Sequence, residues 1–96
     1  MTAPSSASIR FRRSTRVDET RVGDRVVLYH RDAGSGIVLN PAGSLVWDSL
    51  SAPRSQDDLV IQLAAKFPTI PRARLEGDVA AYVESLLAHS LIDGDS

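Results

Sequence analysis

The apolar positions of this chain change period part way along. Between residues 15 and 39 they fall in short, β-rich, alternating runs, and from residue 45 onward they recur every three or four residues. Arg25 to His30 (RVVLYH) reads as a strand. Arg31 to Gly36 is polar and carries two glycines, which supply the backbone freedom of a hairpin loop. Ile37 to Leu39 is the return strand. Upstream, Thr15 to Val22 sets Val17 and Val22 among charged residues and reads as a first strand, with Gly23-Asp24 as the turn. Such short connections predict a three-stranded antiparallel meander. Alternation puts Val26, Leu28 and His30 on one face and Val27 and Tyr29 on the other; Ile37 and Leu39 oppose Val38. A sheet with apolar residues on both faces is either sandwiched or gives its second face to a partner.

The helical half begins at Asn40-Pro41. Asn is a strong N-cap, and Pro suits the first helical position because its missing N–H was unpaired there anyway. Leu45, Val46, Trp47 and Leu50 follow at helical spacing, so a first helix is expected over 41–50, broken by Ser51 to Arg54. Ser55, with Asp58 three residues on, caps a second helix whose stripe is Leu59, Val60, Leu63, Ala64 and Phe67. Pro68 ends it. Pro71 opens a third helix to about His89, with Leu75, Val79, Tyr82, Val83, Leu86 and Leu87 on its apolar stripe. The order βββααα predicts an α+β domain of winged helix-turn-helix-like architecture.

At the ends, Met1 to Ser8 is small and polar and is expected to be disordered, and Ile9 to Arg13 reads as either a weak strand or more tail. The domain is therefore expected over 14–92, with 1–13 as a basic tail and 93–96 fraying.

A chain of 96 residues is one domain with one modest core. There is no cysteine, which removes disulfides, thiol chemistry and cysteine metal sites and fits a reducing cytoplasm, the expected location. No apolar run is long enough for a membrane span, and the polar, basic N-terminus has no signal-peptide core. Net charge is −1 but uneven: residues 1–31 hold seven arginines against three acids, and residues 32–96 four basic residues against nine acids.

Little in the sequence suggests catalysis. His30 and His89 have no ligand spacing around them; His30 reads as a strand residue near the sheet surface and His89 as a cation at a helix C-terminus. There is no nucleophile elbow, and Gly34-Ser35-Gly36 lacks the helix and Lys-Ser/Thr of a phosphate loop. No metal and no cofactor are expected. Trp47 reads as core and needs an acceptor for its indole N–H. Tyr82 belongs either to the core or to a groove wall. Asp78, beside the buried stripe, is either a solvated acid or the partner of a basic ligand group. DNA binding by a small winged helix is the alternative function, but helices two and three carry Asp57, Asp58, Glu76, Asp78 and Glu84 against Lys66, Arg72 and Arg74. No nucleic-acid or membrane partner is expected.

The ordered set Leu39-Asn40, Val46-Trp47, Ser55 to Leu59 and Asp78-Val79 resembles the PqqD-like family, the recognition elements (RREs) that bind precursor peptides in ribosomally made, modified peptide (RiPP) pathways. The likeness runs from about Ser14 to Ile92. Ser90 departs from it, where the family often has Gly before a final Leu-Ile pair. The resemblance implies a non-catalytic peptide clamp: the leader of a precursor peptide adds as an antiparallel strand beside strand 37–39, over a groove walled by helix three. Expected contacts are Tyr29, Ile37, Val38, Leu39, Leu75, Asp78, Val79, Tyr82, Val83 and Leu86, with Val38, Tyr82, Val83 and Leu86 as pocket walls. The expected second partner is a modifying enzyme or leader protease, of the radical SAM maturase or lasso-peptide type, and the protein is expected as a monomer or homodimer. A short edge strand is a template for strand addition on physical grounds as well, and basic strands would speed encounter with an acidic leader.

Overall fold

A computed structural model describes residues 9–95, so the expectation for Met1 to Ser8 and the final Ser96 lie outside the described residues. The elements are β1 (Arg10–Arg13), β2 (Val17–Val22), β3 (Arg25–His30), β4 (Ser35–Leu39), α1 (Pro41–Ser49), β5 (Arg54–Ser55), α2 (Gln56–Lys66), α3 (Arg72–Ala88) and β6 (Ile92–Asp95). The meander β2-β3-β4 is antiparallel throughout, and the α+β class follows from it and the three helices. Alternation places side chains as expected. Val26 and Leu28 are fully buried against the helices, while Val38 and Tyr29 are exposed on the outer face. No described element covers that outer face; α1 lies across the inner one.

The ends of the chain correct the sequence reading. Residues 10–13 are not tail and residues 93–95 do not fray: β1 pairs antiparallel with β6 along its length, from Arg10 opposite Asp95 to Arg13 opposite Ile92. The two-residue β5 flanks β1 on its other side, making a second sheet in the order β5-β1-β6. Phe11 and Ile92 are buried by this pairing, and that apolar burial anchors both ends of the chain.

Trp47 joins the two sheets through α1. Its side chain is 2% exposed, and its indole N–H donates to Glu19 Oε1 at 2.7 Å. The Arg13 guanidinium lies 4.5 Å from the ring centroid and donates to the Trp47 carbonyl at 3.2 and 2.7 Å, so cation–π attraction and hydrogen bonding act on one pair of residues. Glu19 also accepts from Arg21 at 3.2 Å, and Arg21 pairs with Asp48 of α1. The Asp48 carboxylate, more than any other neighbour, raises the Arg21 pKa.

The first two helices begin on side-chain caps and the third ends on a specific backbone geometry. The Asn40 side chain accepts from Gly43 N–H at 2.7 Å, with Pro41 in the first helical turn. Ser55 and Asp58 form a full capping box: Ser55 Oγ accepts from Asp58 N–H and Asp58 Oδ2 accepts from Ser55 N–H, both at 3.1 Å. That backbone N–H is the main reason the Asp58 carboxyl titrates below its ordinary value.

The α3 C-terminus turns on Ser90, at φ 59°. Leu91 N–H donates to Leu86 C=O at 2.9 Å and Ser90 N–H to Leu87 C=O at 3.0 Å, the two bonds of a Schellman motif, and Leu86 and Leu91 are both fully buried. Serine thus holds a left-handed position that glycine fills without strain. The helix end does not differ from the glycine-type cap; it carries the cost of a Cβ instead. A Ser90→Gly variant is expected to gain about 1 kcal/mol, read as a higher urea midpoint at unchanged slope.

His30 also departs from expectation. It is 9% exposed rather than near the surface, because its ring turns back under the β3–β4 loop. Nδ1 accepts from the backbone N–H of Asp32 at 3.2 Å and of Ala33 at 3.0 Å, so the imidazole organises the loop. His89 is the C-cap of α3, its Nδ1 2.8 Å from Ser85 O. Among the described residues no group of three or more His, Asp or Glu could hold a metal ion, and no helix is long and apolar enough to cross a membrane.

Candidate functional site

The register of the meander decides which backbone groups are free. β2 and β3 are joined by the two residues Gly23-Asp24, with Gly23 at φ 65° and Val22 opposite Arg25. Residues flanking a two-residue hairpin turn exchange both of their hydrogen bonds, and the pattern then alternates along the strand. The main-chain groups of Arg25, Val27 and Tyr29 therefore point at β2. Those of Val26, Leu28 and His30 point at β4, toward their opposites Leu39, Ile37 and Ser35. The Ser44 hydroxyl gives independent evidence for this parity. It sits between two groups that face each other, accepting from Val26 N–H at 3.1 Å and donating to Leu39 C=O at 3.3 Å. By elimination the N–H and C=O of Gly36 and Val38 point away from β3. No described strand pairs with β4 on that side, so these four groups line an open edge.

Glycine is required at 36 by the approach of β3. A Cβ there would lie 2.6 Å from Leu28 O and 3.4 Å from Tyr29 Cδ2, too close to a backbone atom that cannot move aside. Gly36 is expected from the sequence in the hairpin loop, with the strand starting at Ile37; the structure corrects this, because β4 begins at Ser35 and Gly36 lies inside it, where a glycine is the usual mark of such an approach.

The far end of the edge is built by Asn40, Gly43 and Tyr82. The Tyr82 hydroxyl donates to Asn40 Oδ1 at 3.0 Å, the same oxygen that caps α1. Its ring packs on Gly43, where an added Cβ would meet Tyr82 Cε1 at 3.2 Å. Tyr82, half-buried, thus ties α3 to the point where β4 becomes α1.

The ten expected contact residues divide by exposure. Val38 is 62% and Tyr29 47% exposed, and Ile37, Asp78 and Tyr82 are partly exposed. Leu39, Leu75, Val79, Val83 and Leu86 are at most 5% exposed and belong to the core. Val83 and Leu86 are therefore not pocket walls; they are buried in the core, where α3 packs chiefly on α2, α1 and β6. Tyr29 is not brought together with Tyr82, because it lies on the outer face above Gly36 while Tyr82 closes the inner side. Asp78, one turn before Tyr82, has its Oδ2 4.0 Å from Arg74 Nε and so already has a cation beside it.

The charge picture changes as well. Four of the seven arginines in residues 1–31 are matched internally: Arg16 to Asp32, Arg31 to Asp18, Arg13 to Glu19 and Arg21 to Glu19 and Asp48. These pairs cancel part of the net basic field expected of the N-terminal third. A separate open cleft of about 310 Å³ lies between α1 and the β2–β3 turn, lined by Arg21, Asp24, Pro41, Ser44, Leu45 and Asp48.

Comparison with known proteins bears on this edge. No curated protein matches the chain. The solved structure of TbiB1 in complex with the TbiA(beta) leader peptide superposes with a TM-score of 0.78 at 25% identity, covering 88% of this chain and 98% of that one. The model of the family described as coenzyme PQQ synthesis protein D (PqqD) matches residues 25–92, which takes in the whole of β3, β4 and the three helices. On that match the chain belongs to the PqqD family.

Proposed function

We propose that this protein is a non-catalytic adaptor that binds the leader region of a ribosomally made precursor peptide by strand addition along β4 and presents it to a modifying enzyme or leader protease. The observation that carries the reading is the open β4 edge, with the N–H and C=O of Gly36 and Val38 directed outward. The leader peptide in the TbiB1 complex supports the kind of ligand.

An extended peptide lying antiparallel to β4 satisfies those four groups whatever its side chains, and each such bond contributes about 1 kcal/mol net. Selectivity falls to the side chains around the edge: Val38 and Tyr29 on the outer face, Ile37, Tyr82 and Asp78 on the side of α3. The buried members of the α3 stripe act indirectly, by fixing the distance between α3 and β4. The recognition unit runs from Arg10 to Asp95, because both end strands are part of the fold. The modifying partner is of the radical SAM maturase or lasso-protease type. With most arginines paired, affinity rests on main-chain bonds more than on steering by charge, so it should vary little with salt.

The test is a titration of a fluorescein-labelled leader from the precursor encoded beside this chain, against a labelled 20-base-pair duplex. Saturable peptide binding that persists as salt is raised is expected. Binding to the duplex alone, with a steep dependence on salt, would replace this reading with a nucleic-acid one.

A further inference from the structure

We propose a second contact for the same peptide: the cleft between α1 and the β2–β3 turn takes a Lys or Arg side chain from the segment just before the added strand. This rests on the strand-addition reading above. β4 runs from Ser35 to Leu39, so an antiparallel strand beside it runs the other way. Its N-terminal end lies beside Leu39 and Asn40, next in the chain to Pro41, which lines the cleft.

One wall of the cleft is a single face of α1: Pro41, Ser44, Leu45 and Asp48, at i, i+3, i+4 and i+7. The other is Arg21 and Asp24 at the tip of the β2–β3 hairpin. The added strand stands about two strand spacings, roughly 10 Å, from β3 and its turn, within reach of two or three peptide residues and one long side chain. The polar groups inside are unequal. The Ser44 hydroxyl is engaged by Val26 and Leu39. Arg21 is held by Asp48 and Glu19. Asp24 is exposed and has no ion-pair partner among the described residues.

The cleft therefore offers apolar surface from Pro41 and Leu45 that ends at an unmatched carboxylate. A side chain with an aliphatic stem and a cationic head fits both features. An acidic side chain would meet Asp24 and Asp48 after losing the one cation, Arg21, to its existing partners. The peptide would thus be read twice, by main chain along β4 and by one side chain at the cleft, with the direction of the bound strand fixed by the second contact.

The probe is a phage-displayed library of random 16-residue peptides selected on the full chain. Enriched peptides are then synthesised in full and truncated before the apolar strand segment, and their affinities measured by fluorescence anisotropy. Enrichment of Lys or Arg within about three residues before that segment is expected. Asp24→Asn, which suits the turn as well as Asp does, should weaken the full peptides about fivefold and leave the truncated ones unchanged, the size of a favourable exposed ion pair. Enriched peptides without a basic residue there, or an Asp24→Asn variant that binds full peptides like the parent, would overturn the cleft contact. The strand-addition reading stands apart in the same assay, since Val38→Pro must then weaken full and truncated peptides alike. A library that enriches nothing on the full chain removes both.

Discussion

A Val38→Pro variant is expected to keep its fold and to bind leader peptide about thirty- to a hundredfold more weakly, which corresponds to about 2–3 kcal/mol. The prediction follows from the parity of the meander. The Val38 N–H points to the open edge and contributes nothing to the β3–β4 ladder, so proline removes a bond only from the complex. The ring also crowds a strand lying alongside. Ile37→Pro is the internal contrast. The Ile37 N–H points at Leu28 across the ladder, so proline there should unfold the hairpin, with loss of the cooperative melt followed by circular dichroism. A tolerated Ile37→Pro with a damaged Val38→Pro would reverse the parity and move the free groups to the other residues of β4. A folded Val38→Pro that binds like the parent would take the ligand off β4 altogether.

The largest expected effect on stability is at Trp47. Trp47→Ala should cost about 3–5 kcal/mol, by the usual penalty for emptying a fully buried aromatic site. A small domain has about twice that in reserve, since total stabilities run from about 5 to 15 kcal/mol. The loss has three parts in this structure. A side chain 2% exposed is deleted, Glu19 loses its indole donor at 2.7 Å, and the Arg13 guanidinium loses the ring beneath it. Trp47→Phe separates them: it keeps most of the buried area but not the donor, and should cost about 1–2 kcal/mol. Urea unfolding by circular dichroism gives both values. Amide exchange adds a location, because Arg13 belongs to β1, so loosening should spread to β1 and β6 before it reaches the β2–β4 meander. A Trp47→Ala penalty below about 1 kcal/mol would mean that the network is incidental.

What could be read in the sequence was local. The meander and the helices follow from runs of five to seventeen residues whose period and caps lie within the run, as with Ser55 and Asp58 or Asn40 and Pro41. The β1–β6 pairing could not be read this way. Its partners sit about eighty residues apart, and each strand shows only one buried apolar side chain, Phe11 and Ile92. His30 was placed by alternation on the correct face, but alternation carries no information on depth, and depth here depends on the loop folding over the ring. The α3 stripe was legible as a stripe. It is wider than the surface it packs on, however, and sequence spacing does not say which of Tyr82, Val83 and Leu86 turns toward β4. The hydrogen bond to Asn40 and the missing side chain at Gly43 decide that for Tyr82. The free edge itself was anticipated, and its chemistry was not: which residues present N–H and C=O depends on the length of the Gly23-Asp24 turn and the register it imposes.

The antiparallel pairing of β1 with β6 sets Arg10 opposite Asp95, so the backbone enters and leaves the domain about 5 Å apart. Both exits lie on the second sheet, separate from the one that contains β4. A domain with adjoining ends can be spliced into a surface loop of a larger polypeptide without stretching either host or guest, or carried at either terminus of one. The fold is in that sense a portable cassette: its attachment to another polypeptide can be rearranged, covalently or not, while the open β4 edge stays clear of the joint.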